Sequence, residues 1–392
     1  MRTRAVTVAS ALVVGWVYVG YPLAMAALGR AAPRPRQRRP LMVPVSVIIA
    51  AHDEERLIAA KVANVLAGDY PPDLVQVIVA SDGSSDATVE RARGAGAHVV
   101  LDLPRQGKLS ALMKAVEHAS GQILVFTDAD SKLEPATLRE LTANFADPAV
   151  GGVASNEVTR SAAAPGVARG EGAYWRYEQW IKRLEDRTGS AVSASGRLYA
   201  IRRELFHPPP VFAGTDDFVI STQVVAAGKR LAFDPAARVV VGVPARGGAE
   251  LRRKVRVMNR GMRAAFSLGG LLLPTRGGLY SLQVLSHKIL RRFVPFFLMA
   301  LFVSSADLAR RDRRWWLAAG PQLAFYGLAA AGAAGQGRAW ARKRLFSIPA
   351  YFCLANLAAA LAVISLLRGV RFEQWKPGRG DGLNLAEGEE VL

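Results

Sequence analysis

Cysteine is almost absent from this chain, and histidine is rare. Cys353 is the single cysteine in 392 residues and lies inside an apolar run, which excludes disulfide bonds and cysteine-based metal sites. The five histidines are scattered without the spacing of metal ligands, so each is interpreted as structural. Internal repeats and Gly/Ser-rich linkers are also missing. Disulfide-stapled, cysteine–metal and repeat architectures are therefore excluded.

Acidic residues are too few to balance the basic ones. The sequence holds 32 Asp and Glu against 51 Lys and Arg, a net charge of +19, together with 51% hydrophobic residues. The cations cluster beside apolar segments, where they favour anionic lipid headgroups, and no nucleic-acid motif with interleaved aromatic residues is found. We therefore expect membrane lipids, and no nucleic acid, among the partners. The sequence does not predict a protein partner.

An uncharged run of 25 residues, 5–29, lies near the N-terminus and is long enough to cross a bilayer. A cleaved signal peptide is disfavoured, because the run exceeds a signal core and no small-residue cleavage site follows it. Two arginines precede the run, and five follow it at Arg30, Arg34, Arg36, Arg38 and Arg39. The positive-inside rule then predicts an integral protein of a bacterial inner membrane with the next domain in the cytoplasm.

Hydropathy divides the chain into six parts. We predict a transmembrane anchor at 1–30, a basic juxtamembrane linker at 31–43, a cytoplasmic α/β domain at 44–245, amphipathic interfacial helices at 246–292, about three transmembrane segments within 293–367, and a tail at 368–392. Of the apolar segments 293–309, 315–335 and 345–367, the first is the weakest, because Pro295 lies near its start. If all three cross, the tail ends outside. If one is interfacial, the tail ends inside.

Strand and helix signals alternate through the middle of the chain. Strands are predicted at 45–51, 75–80, 99–101 and 123–127, and helices at 54–66, 85–94 and 108–119, with further helices at 171–187 and 218–225. Alternation with short turns predicts a mostly parallel sheet covered by helices on both faces.

The fourth strand runs directly into two carboxylates, Asp128 and Asp130. Ligands of open α/β sheets bind at the carboxyl ends of the strands. Two acids at that edge repel each other unless a cation lies between them, and hard oxygen ligands suit Mg²⁺ or Mn²⁺. The alternative is a turn whose Asp side chains cap the next helix.

Polar clusters also follow the first two predicted strands. Residues 52–55 (His-Asp-Glu-Glu) follow the first, and 81–86 follow the second, with Gly83 allowing a tight turn. Asp82 at a sheet edge could accept from a nucleobase N–H or a ribose hydroxyl. Each cluster alone is also explained by turn chemistry. Their recurrence at successive strand ends indicates a binding edge.

Residues 251–268 carry six cations and no acid between apolar residues. This pattern is typical of an amphipathic helix at a membrane surface. Some of its arginines, Arg253 and Arg256 among them, could instead point to phosphate.

Short motifs follow one another in order along most of the chain. They are 45–55, Ser81-Asp82-Gly83-Ser84, Gly107-Lys108, Thr127-Asp128-Ala129-Asp130, 174–178, 196–203 (Gly-Arg-Leu-Tyr-Ala-Ile-Arg-Arg), Gly214-Thr215-Asp216-Asp217, in part 253–257, and 375–379. In this order they resemble the motifs of the family 2 glycosyltransferases, specifically the processive-synthase-like branch with cellulose, hyaluronan and poly-N-acetylglucosamine synthases. The 375–379 motif favours an inside tail.

The resemblance implies a GT-A-type nucleotide-sugar-binding domain with inverting chemistry and a divalent cation, Mg²⁺ or Mn²⁺. It implies a metal on Asp128 and Asp130, with Asp217 as the base and Asp216 as its orienter or a substrate contact. Donor-binding residues would be Ala51, Asp53, Glu54, Asp82, Lys108, Asp128, Arg253 and Arg256; acceptor-binding residues would be Gly196 and Tyr199. From the residues alone, Asp216 and Asp217 could also cap a helix, and Lys108 could be a solvated helix-start lysine.

The expected function is transfer of a sugar from a nucleotide donor, UDP-linked by expectation, to a lipid-linked or growing polysaccharide acceptor in envelope or exopolysaccharide synthesis. Four positions depart from the family pattern: Ala50, Ser81, Met113 and Val257 replace Pro, Asp, Asn and Trp. The Trp position is implicated in the acceptor site of polymerising members. Single-sugar transfer and processive synthesis therefore stay open, and an inactive membrane scaffold is the alternative from another class.

Overall fold

A computed structural model describes residues 2–159, 167–209, 215–242 and 248–372. The strands in these ranges are β1 Val45–Ala51, β2 Val75–Asp82, β3 Val99–Leu103, β4 Ile123–Asp128, β5 Ser131–Leu133, β6 Val150–Thr159, β7 Leu198–Arg202 and β8 Arg230–Val241. The α-helices are α1 Arg2–Gly15, α2 Tyr21–Ala31, α3 Ile58–Leu66, α4 Thr88–Gly94, α5 Lys108–Glu117, α6 Thr137–Thr142, α7 Val167–Thr188, α8 Asp216–Ala226, α9 Gly248–Phe266, α10 Pro274–Gly277, α11 Leu279–Gln283, α12 Arg291–Arg311, α13 Trp316–Ala334 and α14 Arg344–Leu367. The predicted motif at 375–379 lies outside the described residues.

The chain divides into two compact units. The first consists of Met1–Pro33, Ser161–Leu184 and Arg246–Phe372, and the second of Arg34–Arg160, Glu185–Ala245 and Glu373–Leu392. The first is helical in its described residues, and the second holds all eight described strands.

One eight-stranded sheet in the order β3-β2-β1-β4-β7-β6-β8-β5 organises the second unit. Strands β3, β2, β1 and β4 pair in parallel, and so do β6 and β8, whereas β7 is antiparallel to both of its neighbours. The mostly parallel α/β domain predicted from the sequence is confirmed.

Every residue of β1 is buried, because helices cover both faces of the sheet. Val47 and Ile49 pack on one face with the apolar side of α3, and Ile48 packs on the other with Leu112 of α5. Successive strand side chains point to opposite faces, which is why the central strands read as continuous apolar runs.

Helix α3 begins at Ile58, four residues after the predicted start at 54. Asp53 adopts a positive φ of 52°, which is incompatible with entry into a right-handed helix at this point. Residues 54–57 form a turn in which the Glu54 carbonyl accepts from the Leu57 and Ile58 N–H groups at 2.9 Å, and this turn leads into α3.

The arginines that follow the first apolar run do not all act as expected. We predicted that the basic linker at 31–43 favours lipid headgroups, but Arg36 pairs with Asp186 and donates to Asn144 Oδ1 at 2.7 Å. Arg38 pairs with Glu140 and, at 3.0 Å, with Asp234. These two arginines therefore form ion pairs within the second unit, with carboxylates that are more buried than lipid headgroups would be.

Three helical stretches in the described residues are long and apolar enough to cross a membrane: Arg2–Ala31 (30 residues), Leu279–Arg311 (33) and Arg344–Leu367 (24). Residues 293–309, which we expected to be the weakest C-terminal segment, lie within the longest of them, and Pro295 does not end the helix. Helix α13 is not among the three, and Pro321 lies inside it.

A buried charge cluster links helices of the first unit. Arg291 pairs with Glu178, His287 Nε2 lies 3.0 Å from the same carboxylate, and the guanidinium stacks over Tyr174 and Tyr177. The predicted aromatic helix at 171–187 therefore holds an intramolecular cation. In α9, Glu250 precedes the predicted acid-free run and pairs with Arg253 and Lys254.

Candidate active site

The sheet register brings three predicted clusters to one edge. Ala51 pairs with Ser81 and Ala50 with Asp128, so the carboxyl ends of β1, β2 and β4 lie side by side. Residues after the ends of parallel strands meet at the same edge, where α/β proteins bind ligands. Asp53, Asp82 and Asp128 therefore surround one region.

The antiparallel strand β7 adds a segment to this edge that the sequence did not place there. Leu198 pairs with Thr127, and the Asp128 backbone N–H donates to the Arg197 carbonyl at 3.4 Å. Gly196 and Arg197, which precede β7, thus lie beside the Asp128–Asp130 turn. That turn leads into β5, so the alternative that the two acids cap a following helix is not met.

Lys108 joins two of the predicted carboxylates. Its Nζ lies 2.7 Å from Asp128 Oδ1 and 2.9 Å from Asp216 Oδ2, and its side chain is only 12% exposed. The alternative of a solvated helix-start lysine is therefore not met. Burial opposes the charge of Lys108, but the two carboxylates outweigh burial and raise its pKa. Burial likewise tends to raise the pKa of Asp128, yet Lys108 and Arg197 hold it below the usual range.

Arg197 belongs to the site, although the motif at 196–203 predicts no role for it. Its guanidinium pairs with Asp130 and lies 3.8 Å from Asp128. Asp128 and Asp130 are about one-quarter exposed, so their oxygens remain within reach of a ligand. In the sequence, Arg197 is marked only by its position directly after Gly196 in the motif at 196–203. The pairing of β4 with β7 shows that its partners are Asp128 and Asp130.

Asp217 lies at the start of α8, where its Oδ2 accepts from the Gly196 backbone N–H at 3.0 Å. Thr215 occupies the N-cap position, so Asp216 and Asp217 fall in the first turn rather than at the cap. A Cβ on Gly196 would lie 3.5 Å from Lys108 Nζ, 3.8 Å from Asp217 Cβ and 3.9 Å from Asp128 Oδ2. Glycine at this position leaves open the space that the three side chains share.

Tyr199 is completely buried, and its ring stacks on Phe126 with centroids 4.9 Å apart. Burial, together with the carboxylates of Asp216, Asp217 and Asp128, raises its pKa well above the usual value. Among the described residues, its hydroxyl has no hydrogen-bond partner. The acceptor contact of Tyr199 stays a prediction. In this structure the side chain is buried near the carboxylates of Asp128, Asp216 and Asp217.

The first two strand-end clusters make turn contacts. Asp53 Oδ1 accepts from the Ser85 backbone N–H at 2.8 Å, and Asp82 Oδ1 accepts from Gln106 and Gly107 at 2.7 and 2.9 Å. Asp82 is 1% exposed and Ala51 is fully buried. These contacts hold the loops around the edge, and the donor-binding role of the three residues stays a prediction.

Arg253 and Arg256 belong to the first unit. Arg253 donates to both carboxylate oxygens of Glu250 at 2.8 Å. Their predicted phosphate contacts stay predictions.

Glu54 is a carboxyl of this edge with a strongly raised pKa. Burial, followed by the charges of Asp130, Asp128 and Asp86, raises its pKa to about 7, with Arg197 acting in the opposite direction. Burial is the largest cause of this shift, and the neighbouring acids add to it.

Glu54→Gln is therefore expected to change how the stability of the metal-free protein depends on pH. The folded protein keeps the Glu54 proton up to about pH 7, whereas the unfolded chain loses it near 4.5, so stability from this group falls as pH rises through that window. Thermal unfolding midpoints at pH 5 and pH 7 should differ less in Glu54→Gln than in the wild type. Equal differences in both proteins would contradict the raised pKa.

The donor set of the edge suits a hard divalent cation. Asp128 and Asp130 offer carboxylate oxygens, the ligand type that Mg²⁺ and Mn²⁺ prefer. The described residues contain no group of three or more His, Cys, Asp or Glu placed to hold a metal. Two protein ligands leave the remaining positions to phosphate oxygens and water, as is usual for Mg²⁺. A cation there would compete with Arg197 for Asp130.

Comparison with known proteins identifies relatives of both the sequence and the fold. The sequence profile described as "Glycosyltransferase like family 2" matches residues 43–264. The chain is 24% identical over 220 residues to the poly-beta-1,6-N-acetyl-D-glucosamine synthase of Staphylococcus aureus (strain COL), covering 54% of this chain and 53% of that protein. It is 27% identical over 175 residues to the beta-monoglucosyldiacylglycerol synthase of Synechocystis sp., covering 41% and 35%. The chain thus spans about half or less of the length of these curated relatives.

A solved structure shares the fold over nearly the whole chain. The mannosyltransferase of Pyrobaculum calidifontis in complex with GDP-Man and Mn²⁺ superposes with a TM-score of 0.69 at 24% identity, covering 93% of this chain and 99% of that one. This likeness confirms the predicted GT-A-type fold.

Proposed function

The chain belongs to the glycosyltransferase-like family 2. From that membership we propose that it is a hexosyltransferase, which moves a sugar from a nucleoside-diphosphate donor to an acceptor carried at a membrane with inversion at the sugar carbon. The observation that carries this proposal is the placement of Asp217. Its carboxylate lies beside Gly196, and Lys108 Nζ and Asp128 Oδ2 lie within 4 Å of the position that a Cβ on Gly196 would take.

Asp217 is the proposed base. A general base must reach the hydroxyl proton that it removes, and Gly196 leaves room for an acceptor hydroxyl there. The Gly196 N–H donates to one carboxylate oxygen of Asp217 at 3.0 Å and so orients the carboxylate. Asp216, paired with Lys108, keeps that lysine turned toward the edge.

Asp128 and Asp130 are the proposed ligands of Mg²⁺ or Mn²⁺. When bound, such an ion neutralises charge on the leaving diphosphate as a Lewis acid. The ammonium group of Lys108 already lies against Asp128, and the guanidinium of Arg197 lies against Asp130. Both cations can therefore turn from carboxylate to phosphate when the donor arrives. The donor is proposed to be UDP-linked.

The acceptor is proposed to be a lipid-linked sugar or a growing polysaccharide of the cell envelope, and the protein to reside in a bacterial inner membrane with its second unit in the cytoplasm. Three stretches long enough to span a bilayer support the membrane location. Two of them, Leu279–Arg311 and Arg344–Leu367, follow the strands of the second unit in sequence. Two crossings return the chain to the side from which it left, so the inside tail is favoured.

Purified full-length protein in lipid should transfer radiolabel from one of a panel of nucleotide sugars to a membrane acceptor in the presence of Mn²⁺. Product size then separates the two modes of synthesis. A single added sugar supports simple transfer, which Val257 in place of the family's Trp favours, and a ladder of long products supports processive synthesis. No transfer from any UDP- or GDP-linked sugar, with folded protein and added membrane lipid extract, would count against the proposal.

A further inference from the structure

A lysine is buried completely in the second unit, and the chemistry described so far does not use it. Lys61 is 0% exposed and lies on the inner face of α3 with Ile58, Val62 and Val65. Burying an ammonium group is costly unless it is fully hydrogen-bonded. An apolar side chain would fit the face as well, so the lysine requires a reason.

The contacts of Lys61 are concentrated on the turn between β4 and β5. Its Nζ lies 2.8 Å from Thr127 Oγ1, 2.7 Å from the Ser131 carbonyl and 3.1 Å from Ser131 Oγ. Thr127 and Ser131 are the residues on either side of Asp128-Ala129-Asp130. The ammonium group therefore ties together the two ends of the turn that carries both acids.

The hydroxyl groups that contact Lys61 donate their own protons to backbone carbonyls. Thr127 Oγ1 donates to the Arg197 carbonyl at 2.8 Å, and Ser131 Oγ donates to the Asp128 carbonyl at 2.9 Å. All three atoms bonded to Lys61 thus act as acceptors, which matches the three N–H groups of an ammonium. Through Thr127 the same network reaches the backbone of Arg197, whose side chain pairs with Asp130.

We infer that Lys61 is a positioning residue that fixes the Asp128–Asp130 turn in the geometry needed to bind a divalent cation. This inference rests on the proposed metal role of the two acids. Groups that orient metal ligands change metal affinity when they are removed, although they never touch the ion. Burial lowers the pKa of Lys61 to about 7, whereas the charges of Asp128 and Asp130 act to raise it.

Asn64 provides a matched control on the same helix. Its side chain makes two hydrogen bonds with the backbone of Leu133 in β5, at 2.9 and 2.8 Å. It therefore ties α3 to the same strand as Lys61 does, but at the end away from the acids. Loss of either side chain should lower the thermal unfolding midpoint, whereas only the loss of Lys61 should disturb the turn.

The test measures Mn²⁺ binding to the full-length protein in lipid nanodiscs, in the absence of nucleotide. The electron paramagnetic resonance signal of free Mn²⁺ reports how much of the ion is bound. Lys61→Met is expected to weaken Mn²⁺ binding by about tenfold, and Ser131→Ala by about fivefold, the equivalent of one hydrogen bond. Asn64→Leu should bind Mn²⁺ as the wild type does. Wild-type affinity in Lys61→Met, or equal weakening in Asn64→Leu, overturns the inference. If Lys61→Met does not fold, Ser131→Ala decides alone, and wild-type affinity there is equally decisive.

Asp130→Ala separates this inference from the proposed function. If that variant binds Mn²⁺ as the wild type does, the metal site itself is wrong. If it loses Mn²⁺ while Lys61→Met keeps it, the metal site stands and only the role of Lys61 fails.

Discussion

Asp217→Asn is expected to lower kcat by about a thousandfold, within the range that a lost general base produces, while nucleotide binding stays near the wild-type value. Asparagine has the same shape as aspartate, and its amide oxygen can still accept from the Gly196 N–H that Asp217 engages at 3.0 Å. What is lost is the capacity to take a proton from the acceptor. Transfer assays and UDP titration in the presence of Mn²⁺ measure the two properties separately.

Two companion variants sharpen this result. Glu117→Gln makes the same chemical change at an exposed carboxylate that pairs only with Lys114 in the described structure, and it should keep full activity. Asp217→Glu retains a base but moves it by one methylene, so it should recover part of the rate that Asn loses. Full activity in Asp217→Asn would rule out this residue as the base.

Asp130→Ala is expected to weaken Mn²⁺-dependent UDP binding at least about tenfold. Removing a group that only orients a metal ligand already lowers metal affinity by about that factor, and removing the ligand itself should lower it at least as much. Calorimetric titration with UDP, with and without Mn²⁺, measures the effect. UDP binding without the metal should change little, since Asp130 acts on the nucleotide only through the ion.

The ion pair between Arg197 and Asp130 allows a test based on the direction in which Mn²⁺ affinity changes when either partner is removed. If Asp130 served only to hold Arg197, removing either partner would weaken binding in the same direction. If Asp130 binds metal, Arg197→Met removes a competing cation and should strengthen the binding of Mn²⁺ alone, whereas Asp130→Ala weakens it. Equal weakening in both variants would refute the ligand role of Asp130.

The strands that form the binding edge are predictable from the sequence. The strand predicted at 45–51 coincides with β1, and the one at 123–127 is one residue shorter than β4. Both are apolar runs buried on two faces, and such runs leave a clear pattern. The meeting of their carboxyl ends followed from the parallel topology that alternating elements require.

Other parts of the site cannot be predicted from the sequence around them. Strand β7 lies beside β4 in the sheet although about seventy residues separate them in the chain, and its antiparallel direction is a matter of tertiary pairing. That pairing decides that Arg197 meets Asp130. Lys61 did leave a trace, a lysine at an apolar position of the predicted helix at 54–66, but its partners could be found only with the β4–β5 turn in place.

The pairing of β7 with β4 also determines how this site tolerates change. The spacing between Asp128 and Gly196 is set by a ladder of backbone hydrogen bonds that joins Thr127 to Leu198, and backbone hydrogen bonds do not depend on side-chain identity. A slip of two residues in that ladder would displace Gly196 by roughly 7 Å. Insertions and deletions between the two strands leave the distance intact as long as the ladder forms. The length of the segment 134–195 can therefore vary without a change in this distance, whereas a change of register would separate the base from the metal ligands at once.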